Sequence, residues 1–322
     1  MSSYSDTDAW AVGGHGFAHW DGREWRDVPA SEGGGRVDAI ADAGPSDAWA
    51  VGRLDVPPRG KNFATRIQHW DGVSWNITPS PEFRGRFAAL WSVAAFAPDD
   101  AWAVGCDGQA ALVEHWDGEG WSRVAVPVPG PGIHSRLTAI SGRSSNDIWA
   151  IGDHDNTAPT PNSLFALHYD GTEWRAVPVD QVAGHSSSLW SVTAISADDV
   201  WAVGRTIGID GKGGALTEHW DGQRWQIVPS PFDQPTSTTT GSLLRVTARA
   251  PDDVWAGGAT YTPDGVGYEV LLVHWDGVRW TQDTTAQTTP GSGNSITGIS
   301  TTLGGHVIWA TNAGRPTLFS HA

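Results

Sequence analysis

Arginine, tryptophan and histidine supply most of the recognition chemistry in this 322-residue sequence. Guanidinium groups hold carboxylate or phosphate through paired hydrogen bonds, and indole faces stack on sugars, aromatic rings or cations. Six such residues form the candidate ligand-binding set: Arg36, Trp91, Arg136, His185, Trp190 and Arg245. In successive copies of a repeat, the slot held by Ser191 is filled by Arg36, Ser92, Arg136, Ser191, Arg245 and Ser295. The residue before it is Gly35, Trp91, Ser135, Trp190, Leu244 and Asn294 in turn. Such a ring would suit a small anionic or aromatic ligand, or a glycan. His134, His154 and His185 fall outside the repeat and are the candidates for a general base. No Gly-x-Ser-x-Gly, His-Glu-x-x-His or glycine-rich phosphate loop accompanies them. Ligand recognition without a reaction is therefore the leading expectation. An enzyme with its site in the same place, such as one of specialised metabolism, and a protein-interaction scaffold are the alternatives.

Metal chemistry is not expected. Seven of the 12 histidines recur at one slot: His19, His69, His115, His168, His219, His274 and His321. One per copy, they cannot converge on a single ion, and a hydrogen bond inside each copy is the expected role. His15 and His306 complete the set outside the repeat. Asp153-His154-Asp155-Asn156 and Asp210-Gly211-Lys212-Gly213 lack the spacing of a calcium loop. No cofactor is expected, and the lone Cys106 reads as an inert small residue. Twenty Lys and Arg against 36 Asp and Glu give a net charge of −16, which disfavours nucleic acid and anionic membranes as partners. No apolar stretch nears the roughly 20 residues of a membrane helix. Without a visible signal peptide the chain reads as cytoplasmic, as would a trimmed piece of a secreted protein.

The elements that position these residues follow from 20 tryptophans. Asp-x-Trp recurs at Trp10, Trp49, Trp102, Trp149, Trp201 and Trp255, with a degenerate copy at Trp309. His-Trp-Asp-Gly-x-x-Trp follows, as from His69 to Trp75 or His219 to Trp225, with Tyr169 replacing one Trp. Only Trp91 and Trp190 lie outside these slots. Each copy reads as four short antiparallel strands: Val192–Ser196, then Val200–Gly204, then a strand ending in His-Trp, then Arg224–Val228. Asp-Gly predicts a tight type I′ hairpin between the last two. Proline, such as Pro229, ends the fourth strand.

Repeated four-stranded meanders predict an all-β fold, a seven-bladed β-propeller, with six blades as the alternative. The expected blades of this single domain span 1–30, 36–80, 87–127, 136–178, 188–230, 242–284 and 294–322. Residues 1–5 supply the first strand of the first blade, and the last blade lacks its fourth. The motifs resemble the Trp-rich propeller repeats common in bacterial proteins and are similar to tectonin repeats. The Asp-Gly-x-x-Trp part also resembles the Asp-box hairpin. The likeness implies the fold, and a glycan-binding role known from tectonin-like relatives. Long, varied loops join the second strand to the third (53–65, 153–163, 205–214, 259–268) and one blade to the next (229–242). They share one face, where binding sites concentrate. The loop from Pro229 to Gly241 would serve a protein partner.

Overall fold

The second strand of each repeat is the most buried, because it is covered on both sides. Val200-Trp201-Ala202-Val203-Gly204 is buried at every position, a continuous run in place of alternation. The fourth strand is three or four residues long and turns outward after its first residue, as at Trp225–Ile227, where Trp225 is buried and Ile227 exposed, which keeps the edge short. These strengths give the strand order first-second-third-fourth in six antiparallel sheets. The fifth is His185–Ser196, Asp199–Gly208, Gly213–Trp220 and Trp225–Ile227. The protein is an all-β propeller with six four-stranded blades, and the described residues contain no helix. A seventh sheet, Ile296–Ser300, Ile308–Asn312 and Arg315–Phe319, has three strands and matches the truncated last repeat. The first blade begins with Ser2–Ser5, as expected.

The computed structural model describes residues 1–13, 16–31, 33, 35–56, 62–81, 87–128, 134–155, 162–208, 211, 213–233, 241–261, 268–284, 295–302, 308–312 and 315–319. His15, Asn156, Asp210, Lys212, Asn294, His306 and His321 lie outside these residues, as does much of the loop from Pro229 to Gly241.

Two compact units divide the chain, Met1–Ala150 with Leu167–Ala176, and Ile151–Ala166 with Val177–Ala322. Within each, first strands of successive blades touch one another, so the first strand is the inner one. In the first unit Trp49 packs on Trp116 and Trp121 of the next blade, with ring centroids 4.9 and 5.1 Å away. In the second, Trp201 meets Trp275 and Trp280 at 4.8 and 5.2 Å. The recurring histidine completes this seam. His69 stacks on Trp49 at 4.3 Å, and its Nε2–H donates to Asp47 Oδ1 at 2.6 Å. The same bond joins His19 to Asp8, His115 to Asp100, His168 to Asp147, His219 to Asp199 and His274 to Asp253. His69→Ala removes the stack and leaves buried Asp47 without its donor, so it should cost about 1–3 kcal/mol. Thermal unfolding would show this as a fall of several degrees, and an unchanged melting temperature would refute the structural role.

The hairpins differ from the expected two-residue type I′ turn. Trp70 pairs with Trp75, which leaves a four-residue loop, and Asp71 N–H donates to Ser74 O. Asp71 Oδ1 accepts from the N–H groups of Val73 and Ser74 at 2.9 and 2.8 Å. The aspartate thus closes the turn with its side chain, and those N–H groups hold its carboxyl below the usual range. Gly72, at φ 90°, supplies the left-handed residue.

Candidate functional site

The glycine of Asp-x-Trp-Ala-Val-Gly is imposed by the inner strand. A Cβ on Gly204 would overlap the carbonyl oxygen of Ser188, as one on Gly52 would overlap that of Arg36 and one on Gly105 that of Ala89. Beside this close approach the inner strand carries one extra residue. Leu189 pairs with Gly204 and Ser191 with Val203, so Trp190 bulges out of the ladder, half-buried and re-aimed. The corresponding bulged residue is Asp38 in the second blade, Trp91 in the third, Leu244 in the sixth and Thr297 in the seventh sheet.

This register corrects the equivalence drawn from sequence. Arg36 lies opposite Arg53, as Ser188 lies opposite Arg205, and the second-blade counterpart of Ser191 is Ala39. Ser295, just before Ile296, and Arg136, eight residues before the end of its strand, also match Ser188. Only Ser92, Ser191 and Arg245 share one slot. The fixed point is the two-residue turn after the inner strand, Pro45-Ser46 or Ala197-Asp198, whereas the likeness of Arg36-Val37-Asp38-Ala39-Ile40 to Ser191-Val192-Thr193-Ala194-Ile195 is displaced by three residues.

In the second unit the bulge brings several groups together. Val246 N–H donates to Ser191 Oγ at 3.1 Å, which sets Arg245 beside the chain neighbour of Trp190. Arg245 Nη1 donates to Leu244 O at 2.7 Å. Arg205, which the sequence reading did not single out, lies over the Trp190 indole with its guanidinium carbon 5.4 Å from the ring centroid. It is half-buried and makes no ion pair or hydrogen bond with any of the described residues. His185 sits opposite Gly208, five residues from Trp190 and therefore about 16 Å along the strand. Its Nδ1 lies 3.0 Å from Ala183 O. His154 lies against Phe165 at 5.9 Å.

In the first unit Cys106 takes the slot that Arg205 holds in the fifth blade, and among the described residues no arginine lies over Trp91. Burial pushes the Cys106 thiol up to about 11 despite the opposing pull of Arg136. Arg36 pairs through Nε with Asp38 at 2.6 Å, Arg136 is half-buried and His134 is exposed. Among the described residues, no carboxylate or hydroxyl is hydrogen-bonded to His134, His154 or His185. Among the same residues no group of three or more His, Cys, Asp or Glu is placed to hold a metal ion.

No protein-family model matches the sequence, and no curated protein matches it. Solved structures do resemble it. YCF48 bound to a D1 peptide is 16% identical with a TM-score of 0.60, over 100% of this chain and 92% of that one. A GH74 xyloglucanase from Xanthomonas campestris is 15% identical with a TM-score of 0.61, over 96% of this chain and 49% of that one. A polysaccharide lyase PL25, an ulvan lyase, is 11% identical with a TM-score of 0.60, over 98% and 88%. The likeness is one of fold.

Sequence reasoning also missed two buried carboxyls on third strands. Glu114 accepts from Ser80 Oγ at 3.2 and 3.0 Å, and burial pushes its carboxyl up to about 7. Glu218 occupies the same slot in the fifth blade, fully buried, with neither oxygen hydrogen-bonded among the described residues. Burial, reinforced by the charge of Asp180, pushes it up to about 9.

Proposed function

We propose that the protein is a non-enzymatic recognition module whose second unit binds a ring-bearing anion, such as an acidic sugar or an aromatic carboxylate. The observation that carries this is the half-buried Arg205 guanidinium, held over Trp190 and spent on no carboxylate among the described residues. An arginine so placed, in a chain of net charge −16, is a cation kept for something else. Trp190 offers a flat face to the ring, Arg205 takes the anionic group with Arg245 beside it, and His185 meets the far end of a longer ligand. Arg36, Trp91 and Arg136 carry related chemistry in the first unit. The similarity of the repeats to tectonin repeats favours a glycan among these ligands.

A glycan array and a panel of aromatic carboxylates, with Trp190→Ala and Arg205→Ala as separate variants, test the reading. Saturable binding should weaken at least about tenfold in each, as expected for a lost charge-assisted bond or stacking face. Melting temperatures should stay within a few degrees, because both side chains are half-exposed. Absence of saturable binding retires the proposal, and a large fall in melting temperature makes Trp190 a packing residue. A protein partner is the second reading, favoured by the peptide bound to YCF48 on a similar fold. Binding of an acidic peptide, lost in the same variants, would decide for it.

A further inference from the structure

We propose that the first unit carries a second anion site of the same construction, centred on Arg53 and Phe63, for a sulfate ester or carboxylate borne on an apolar or aromatic ring. It rests on the reading of Arg205 above and extends it to a surface that neither the repeats nor the fold neighbours point to.

Arg53 and Arg205 occupy one slot. Each follows the close-approach glycine of its second strand, in Trp49-Ala50-Val51-Gly52-Arg53 and Trp201-Ala202-Val203-Gly204-Arg205. Their partners in the register correspond: Arg53 lies opposite Thr65 and Arg36, and Arg205 opposite Ala215 and Ser188. Both guanidiniums lie over an aromatic ring at nearly the same height, Arg53 at 5.5 Å from the Phe63 centroid and Arg205 at 5.4 Å from that of Trp190.

The source of the ring differs. In the fifth blade the bulge of the inner strand supplies it. In the second blade the bulge holds Asp38, and the ring comes from the third strand instead. Phe63 is itself held in place by Phe87 of the next blade, edge to face at 5.3 Å, where the two residues form an isolated bridge. The cation and its aromatic floor are thus recovered from different residues.

Charge separates the two arginines at this end of the blade. Like charges directly opposite in a sheet repel, and Arg36 faces Arg53. Arg36 is neutralised by Asp38 at 2.6 Å. Arg53 is half-buried over Phe63 and, among the described residues, makes no ion pair. One uncompensated positive charge calls for a singly charged group, which a sulfate ester or a carboxylate supplies. The surrounding sequence has the matching bias, because residues 36–86 hold seven of the 20 Lys and Arg but only six of the 36 Asp and Glu.

The test uses the full chain and 4-fluorophenyl sulfate as probe, followed through the arginine Nε–H resonances. Two of these should move saturably, one absent in Arg53→Ala and the other in Arg205→Ala. Phe63→Leu keeps the guanidinium and removes its floor, and should weaken the Arg53 response by about threefold or more. Arg53→Lys keeps the charge without the fork, and should weaken it similarly should the alanine variant fold poorly. A single responding resonance, lost only in Arg205→Ala, overturns the second site and leaves the proposed function standing. A response at Arg53 alone supports the second site and overturns the proposed function at Arg205. No response at either arginine overturns both.

Discussion

Gly204→Ala is expected to unfold the fifth blade or to cost on the order of 4 kcal/mol, above the roughly 1–3 kcal/mol that overpacking typically costs. The added methyl has no soft neighbour to displace. It meets the carbonyl oxygen of Ser188 and the Cα of Leu189, both backbone atoms of the inner strand. Relief requires the two strands to separate, which breaks the Leu189–Gly204 pairing and lets the bulge at Trp190 relax. Melting temperature and near-ultraviolet circular dichroism should therefore fall together, and the ligand binding proposed for Trp190 should be lost even where a folded fraction survives. Gly120→Ala is the control. No atom lies within 4 Å of its would-be Cβ and its φ is not left-handed, so its stability should match the parent or slightly exceed it. Equal melting temperatures for the two variants would mean that the inner strand yields easily and does not fix the bulge.

Glu218→Gln should change how stability depends on pH. In the folded chain burial keeps the carboxyl protonated up to about pH 9, whereas a free glutamate ionises near 4.5. Between these values the folded state binds more protons than the unfolded one, so stability falls as pH rises from about 4.5 towards 9 and levels off above. At pH 7 this loss is at most about 3 kcal/mol. Glutamine removes the titration. Its stability relative to the parent should rise steadily from pH 5 to pH 9, whatever the constant cost of burying the amide. Parallel curves would show that Glu218 ionises in the fold as it does in water. The corresponding Glu114→Gln curves should stop diverging near pH 7, because Ser80 holds that carboxyl and burial raises it only to about 7.

Blade architecture was legible because its causes are side chains that recur. The Asp-x-Trp and His-Trp slots specify the seam of indole, imidazole and carboxylate, and their spacing gives the strands directly. The bulge was not legible, since its cause is backbone register. The residues that occupy it, Asp38, Trp91, Trp190, Leu244 and Thr297, share no property. Alignment by similarity therefore misplaced Arg36, Arg136 and Ser295 by three residues. The hairpin was legible as a turn but not in its length, because the aspartate carboxylate replaces backbone closure. Arg53 and Arg205 escaped notice although Val-Gly-Arg occurs twice, since nothing in the sequence says that an arginine just past the buried part of a strand has no carboxylate partner among the described residues. Trp91 and Trp190 were found as exceptions to the tryptophan pattern, and Trp190 proved to lie under one of those arginines.

The seam between neighbouring blades bears on how such a chain can grow. Trp10 meets Trp70 and Trp75 of the following blade, Trp49 meets Trp116 and Trp121, and Trp201 meets Trp275 and Trp280, always the same parts in the same places. A gene segment encoding one repeat therefore carries both halves of the joint. Unequal recombination can insert or delete such a segment without creating a foreign surface, while each new copy brings a further long loop that is free to diverge.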